Sequence, residues 1–208
     1  QGMCGQFNED IAAFAARHLN QDRSGRAVVL AVGERVAARL HNAGFETERR
    51  LEVPHSATGI TDSVARILVQ AEQWRRENGV GRILLFHNRR RSGASYEPER
   101  VSLWPLDMTW LQELAQRPWE SRTLPMYRMD RGQLTGRLIR QYLFVVVFRA
   151  LAESLASEQA SRLASMQVAE KDIGERLEEL TKQHNQQRQQ AITAELLDII
   201  ASRESLGK

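Results

Sequence analysis

The residues nearest the start of the chain are the first that could do chemistry. Gly2, Cys4 and Gly5 form a glycine-rich turn directly before a helical pattern. Such a turn can bind phosphate through backbone N–H groups at a helix N-terminus, and a cysteine there can act as a nucleophile. The turn lacks the Walker lysine and the dinucleotide glycine pattern, and no histidine or aspartate motif is near Cys4 to activate its thiol. A tight turn with a small packed cysteine is therefore favoured.

The other reactive residue types show no catalytic or metal-binding spacing. Glu178 and Glu179 are neighbouring carboxylates in a charged helical segment, where a solvated surface is the simpler explanation. The histidines are not spaced with cysteines or carboxylates as metal ligands are. They are His18, His41, His55, His87 and His184. We therefore predict no catalytic residue, no metal and no cofactor.

The composition is that of a folded protein with one large or two small domains. The chain has 208 residues, of which 42% are hydrophobic, and its single cysteine excludes a disulfide scaffold and fits a reducing compartment. Its 29 basic residues nearly balance 26 acidic ones. Because no aromatic residues interleave with the basic clusters, we predict no nucleic-acid partner. The apolar run 142–148, closed by Arg140 and Arg149, is too short to span a membrane.

The first 132 residues alternate between strand and helix patterns. The predicted elements are a helix from an Asn8 cap to Asn20, strand 26–33, helix 34–42, strand 45–53, a helix from a Thr61 cap to Asn78, strand 82–87 and strand 101–106. This alternation predicts an α/β, Rossmann-like domain with a mostly parallel sheet. Between the last two strands, the arginine-rich segment 88–95 is either a solvated loop or a contact for an acidic partner loop.

The last third of the chain, from about Gln133 to Ser202, is predicted to form one very long helix. It contains no proline and is rich in good helix formers. About 70 residues at 1.5 Å each would make a rod of roughly 105 Å. We therefore predict two domains, an α/β domain at 1–132 and the long C-terminal helix at 133–208.

An apolar row along this helix indicates a coiled coil. Its members step by three, seven, four and three residues, and charged residues occupy the other faces. This predicted seam consists of Leu163, Met166, Ile173, Leu177 and Leu180. A helix with such a seam needs a partner helix.

Three segments resemble the γ subunit of F-type rotary ATP synthases. Segment 153–166 is similar to the long helix of that family, and segment 2–8 to its Gly-Leu-Cys-Gly-Gly-x-Asn turn. Segment 185–200 is similar to its C-terminal signature, in which Ile-Thr-x-Glu is followed by an acidic residue. The matching positions are Ile192, Thr193, Glu195 and Asp198. The signature of the family ends in Gly-Ala, where this chain has Ser202 and Arg203.

The resemblance implies a non-catalytic central rotor shaft. Such a shaft couples transmembrane ion flow to ATP synthesis or hydrolysis in the β subunits by rotation. The expected partners are the α and β subunits of the catalytic ring, the ε subunit and the membrane c-ring. The expected location is peripheral, at the cytoplasmic face of the bacterial inner membrane. Because family members carry a helix and a first strand before the glycine turn, we expect a longer subunit whose N-terminal helix covers the seam.

The resemblance also implies roles for single residues near the C-terminus. Contact with the β subunit is expected at Arg188, Gln189, Thr193 and Glu195. An apolar bearing surface is expected at Ile192, Leu196, Ile199 and Ile200. Two other classes stay open from the residues alone: a Rossmann-type nucleotide-binding domain or enzyme with a helical tail, and a coiled-coil adaptor.

Overall fold

The computed structural model describes residues 3–21, 27–93, 95–123 and 126–206, the last six by their backbone. The helices and strands are α1 Phe7–Gln21, β1 Val29–Val32, α2 Glu34–Asn42, β2 Thr47–Leu51, α3 Ala57–Glu77, β3 Ile83–Arg90, β4 Tyr96–Trp104, α4 Met108–Gln116 and α5 Arg131–Leu206. The chain divides into two compact units, residues 1–163 and residues 164–208. Unit 1 holds the α/β elements and the first part of α5, and unit 2 holds the rest of α5.

The described strands form two pairs. β1 and β2 are parallel, and the crossover between them is α2. β3 and β4 are antiparallel, because the five residues 91–95 that join them are too few for a parallel crossover. The predicted α/β class with one very long C-terminal helix is confirmed. Its parallel part is the β1–β2 pair, while β3 and β4 form a hairpin.

The arginine-rich segment 88–95 is a loop only in its second half. Asn88 is fully buried in β3, and Arg89 pairs with Glu99 of β4 at 3.5 Å. The interpretation of residues 88–90 as loop is therefore wrong, because opposite charges on facing strands let the arginines extend the hairpin. Ala94 lies outside the described residues.

Two helices begin earlier than predicted. Ser56, rather than Thr61, caps α3, since its Oγ accepts a hydrogen bond of 3.2 Å from the N–H of Gly59. Asn8 lies inside the first turn of α1, so it is not the cap that was predicted. The predicted strand at 26–33 is shorter in the structure, and its first residue, Arg26, lies outside the described residues.

The main core of unit 1 lies between α3, the strands and the first part of α5. Its buried members are Ile60, Val64, Ile67, Leu103 and Val147. Val64 and Ile67 are three residues apart and therefore lie on one face of α3. Val147 lies in the apolar run of α5, which is therefore packed against the α/β elements at this point. A smaller cluster joins α1 to α2 through Ala12, Ala15 and Leu40.

Helix α1 is fixed to the hairpin by polar contacts at its first turns. The side-chain amide of Asn88 donates to the carbonyl oxygen of Phe7 at 3.0 Å. The hydroxyl of Tyr96 donates to Oδ2 of Asp10 at 2.8 Å, and its ring meets that of Phe7 edge-on. Burial, and then the bond to Asp10, raise the pKa of Tyr96 well above its usual value of 10.0.

This raised pKa predicts a loss of stability in alkaline solution. Above about pH 10 the tyrosine ionises in the unfolded chain but not in the folded one, so the free energy of unfolding falls as pH rises. We expect Tyr96→Phe to weaken this dependence, although it also removes the bond to Asp10. Urea unfolding between pH 8 and pH 11 measures the slope for both chains. Equal slopes would contradict the assignment.

Candidate functional site

The glycine turn before α1 has the structure of a packed turn. Cys4 is 2% exposed, and the side-chain amide of Asn8 donates to its Sγ at 3.5 Å. Glu9 and Asp10 place negative charge in the first turn of α1, where a bound phosphate would be repelled. This favours the prediction of a small packed cysteine. Gly2, which belonged to the predicted phosphate site, lies outside the described residues.

The C-terminal part of α5 carries the residues for which we expected β-subunit contact. Arg188, Gln189, Thr193 and Glu195 are all exposed. The hydroxyl of Thr193 donates to the carbonyl oxygen of Gln189 at 2.8 Å, a bond within the helix. The expected bearing residues are 47% to 65% exposed, which is unusual for large aliphatic side chains. These are Ile192, Leu196, Ile199 and Ile200.

Helical periodicity arranges these eight residues in two neighbouring rows. Residues separated by three or four positions lie on one face of a helix. One row is Arg188, Ile192, Glu195 and Ile199, and the other is Gln189, Thr193, Leu196 and Ile200. Each row contains both polar and apolar side chains. This surface is chemically suited to a protein partner that offers both hydrogen-bonding groups and apolar contacts.

The predicted seam forms a second apolar surface on α5. Its residues are 45% to 61% exposed in the structure. They are Leu163, Met166, Ile173, Leu177 and Leu180. A row of half-exposed aliphatic side chains is typical of a helix surface that a partner covers.

A third feature, which the sequence did not reveal, joins α5 to the α/β elements within unit 1. Glu153, Ser157 and Ser161 are separated by four residues each, so they lie on one face of α5. We call these three residues the polar stripe. The hydroxyl of Ser161 donates to the carbonyl oxygen of Cys4 at 3.0 Å. Ser157 is 1% exposed, and its hydroxyl donates to the carbonyl oxygen of Glu153 at 2.7 Å. The same hydroxyl lies 3.4 Å from the carbonyl oxygen of Asn88.

Glu153, the first residue of the polar stripe, belongs to a cluster of charged side chains. Nε2 of His87 lies 3.4 Å from Oε2 of Glu153 and 3.7 Å from Oε2 of Glu99. The second oxygen of each carboxylate is held by an arginine: Arg149 donates to Glu153 at 2.8 Å and Arg89 donates to Glu99 at 3.5 Å. Burial opposes the ionisation of Glu153, but the bonds from Arg149 and His87 outweigh it and lower its pKa. The cluster therefore holds Glu153 as a carboxylate between β3 and α5.

His87, Glu99 and Glu153 are of residue types that can ligate a metal ion. Their ligand atoms lie within 4.8 Å of one another. A histidine that ligates a metal usually donates its other ring N–H to a partner. Nδ1 of His87 has no such partner among the described residues. The geometry is thus better explained by hydrogen bonds among His87, Glu99 and Glu153 than by a metal site.

The spacing of the polar stripe was visible in the sequence, but its partners were not. Cys4 and His87 are far from α5 along the chain, and only the fold brings them to it. Ser154, Ser157, Ser161 and Ser165 recur along this part of α5, so the serine spacing alone did not single out Ser157 and Ser161.

Comparison with solved structures shows which known chains share this fold. It superposes on a chain of the mitochondrial ATP synthase of Euglena gracilis, in a structure of OSCP, F1 and c-ring, with a TM-score of 0.64 at 20% identity, over 99% of this chain and 69% of that chain. A chain from the central stalk and c-ring of the Tetrahymena thermophila enzyme gives 0.59 at 21% identity, over 82% and 72%. The fold of this chain, an α/β domain continued by one very long helix, is thus shared with both of these ATP synthase chains. Within the described residues, no helix is long and apolar enough to cross a membrane.

Comparison with sequences identifies the family. The family model described as ATP synthase matches residues 1–206. The ATP synthase gamma chain of Anaeromyxobacter sp. strain K is 30% identical over 215 residues, and that of Geobacter metallireducens is 30% identical over 222 residues. Each alignment covers 99% of this chain and 70% of the relative. The chain belongs to the ATP synthase gamma-chain family.

Proposed function

We propose that this chain is a non-catalytic shaft whose exposed C-terminal helix surface turns inside a ring of catalytic subunits. Its family makes it the central rotor-shaft subunit of an ATP synthase, and the enzyme and adaptor alternatives are not favoured. The observation that carries the proposal is the one very long helix, whose last part is exposed on every described side. A helix with so many exposed aliphatic side chains needs a surrounding partner in solution.

A shaft of this kind acts by allosteric coupling rather than by chemistry. Ion flow through the membrane sector turns the shaft, and the shaft stabilises a different state in each β subunit. Nucleotide binding in the β subunits acts back on the shaft, because coupling between two binding events is reciprocal. The proposal assigns ATP binding to the α and β subunits and none to this chain.

The two rows near the C-terminus are proposed as the surface that the ring contacts. The polar members, Arg188, Gln189, Thr193 and Glu195, would form hydrogen bonds with the β subunit. Their exposure supports this, since all four side chains are accessible to a partner. The apolar members, Ile192, Leu196, Ile199 and Ile200, would be the bearing surface. The side chains of Ser202 and Arg203, at the end of the signature, lie outside the described residues.

The proposed partner of the seam is a second, antiparallel helix of the same subunit. The seam residues are apolar, are spaced as in a coiled coil and are half exposed, as expected if a helix covers them. The proposal keeps the predicted division into an α/β domain at 1–132 and a shaft helix at 133–208. The remaining proposed partners are the ε subunit and the c-ring, with a peripheral location at the cytoplasmic face of the bacterial inner membrane.

A cleft in unit 1 supports the expected further strand of the α/β domain. The cleft has a volume of about 930 Å³ and is lined by residues 27–33 around β1 and 79–87 around β3. Among the described strands, β1 pairs only with β2 and β3 only with β4. Their other edges are therefore open to a further strand, and about six residues of extended chain would be roughly 20 Å long. In the assembled enzyme we expect slow hydrogen exchange along both edges.

Co-expression with α and β subunits tests the proposed function. We expect the chain to co-purify with them and to support ATP hydrolysis by the ring, which a separate enzyme or adaptor need not do. Titration of the purified chain with ATP, ADP and NAD is the second arm, and we expect no saturable binding. Failure to assemble, or micromolar nucleotide binding by the chain alone, would contradict the proposal.

A further inference from the structure

The polar stripe brings α5 against the α/β elements of unit 1 at three successive helical turns. Ser161 reaches the turn before α1, Ser157 lies against the end of β3, and Glu153 reaches His87 on β3. The contacts are at equal four-residue intervals along about eight residues of helix. They are therefore spread over roughly 12 Å of the helix axis.

Apolar packing holds a helix against a core but orients it less sharply than hydrogen bonds do. The attraction between Val147 or Ala150 and the core is non-directional. Hydrogen bonds weaken steeply when their angles change. The bonds of Glu153 and Ser161, on one face and two turns apart, resist both rotation and sliding of the helix, and the buried hydroxyl of Ser157 packs between them against the carbonyl oxygen of Asn88.

We propose that the polar stripe is the lock that transmits torque between α5 and the α/β part of unit 1. The inference rests on the proposed function, in which the chain is under torque. The burial of the stripe supports it: Ser157 is fully buried, and the side chain of Glu153 is three-quarters buried. Glu153 is also held from its outer side by Arg149, which keeps its carboxylate directed toward His87. The three residues are positioning residues and contact no substrate.

The test is single-molecule rotation of the complex assembled with α and β subunits, with a bead attached to the α/β domain. Torque then passes from the ring through α5 to the bead. In the triple variant Glu153→Gln, Ser157→Ala and Ser161→Ala, we expect the angular variance of a stalled bead to rise about twofold, because the directional bonds are lost while the apolar contacts remain. ATP hydrolysis without load is expected to stay close to that of the unmodified complex. The matched control is Thr135→Ala, which removes an exposed hydroxyl bonded only within α5.

Single substitutions of Ser161 provide a second test of the lock. Where the triple variant fails to assemble, Ser161→Ala alone removes one bond and keeps the rest, and Ser161→Thr is expected to restore the unmodified variance. A merely stabilising role would lower the melting temperature without changing the variance. If the unmodified complex rotates and the variance of Ser161→Ala and of the triple variant equals that of Thr135→Ala, the lock is overturned. If the unmodified chain does not assemble or rotate, the proposed function itself fails.

Discussion

Replacing Val147 by Asp is expected to remove a large part of the stability of the α/β unit. Val147 is fully buried in the core that joins α3 to α5. The change loses about 1.5–3 kcal/mol of apolar burial. It also buries a carboxyl group without a hydrogen-bond partner, at about 1–3 kcal/mol. The free energy of unfolding should therefore fall by about 2.5–6 kcal/mol, out of the roughly 5–15 kcal/mol of an ordinary domain. Urea unfolding followed by tryptophan fluorescence measures this loss.

A matched control lies two residues away on the same helix. Val145 belongs to the same apolar run but is 52% exposed. Val145→Asp changes the same side chain in the same way, and surface substitutions usually shift stability by less than about 0.5 kcal/mol. A loss of similar size in both variants would mean that the burial of Val147 is not what holds α5 to unit 1.

The long helix and the class of fold were predictable because their signals are local. Absence of proline and high helix propensity persist along residues 133–202, and no tertiary contact is needed to read them. The α2 boundaries at Glu34 and Asn42 were also predicted, since Gly33 and Gly44 mark them and both adopt positive φ angles. Such features depend on the order of residue types alone.

The antiparallel hairpin and the polar stripe were not predictable in the same way. The segment of Asn88 and its arginines has the composition of a loop, yet pairing with Glu97 and Glu99 on the opposite strand makes it part of β3. That pairing is a property of two segments together. His87 likewise has no ligand spacing along the chain, and only the packing of α5 on β3 places it beside Glu153. Non-local contacts of this kind cannot be predicted from one sequence.

The second large effect is expected at the C-terminal end of α5. Arg188→Ala and Glu195→Ala should each weaken coupling between the shaft and the ring. The two positions lie in one row, two helical turns apart, and both side chains are exposed. Charged side chains that are surrounded by a partner protein bind it through charge-assisted hydrogen bonds. The loss of one such bond costs about 1.5–3 kcal/mol. We expect the affinity of the chain for the ring to fall by roughly 10- to 100-fold in each variant, measured together with coupled ATP synthesis.

The control for these variants is a pair of opposite charges earlier on the same helix. Lys171 and Glu175 lie 3.6 Å apart, are well exposed and belong neither to the seam nor to the two rows. Exposed pairs of this kind contribute at most about 1 kcal/mol, so Lys171→Ala and Glu175→Ala should leave assembly and synthesis nearly unchanged. Full coupled ATP synthesis in both Arg188→Ala and Glu195→Ala would contradict the proposed hydrogen bonds between the polar members of the rows and the β subunit. The apolar members of the rows would then have to carry the contact, because they are the side chains on that surface that still need to be covered.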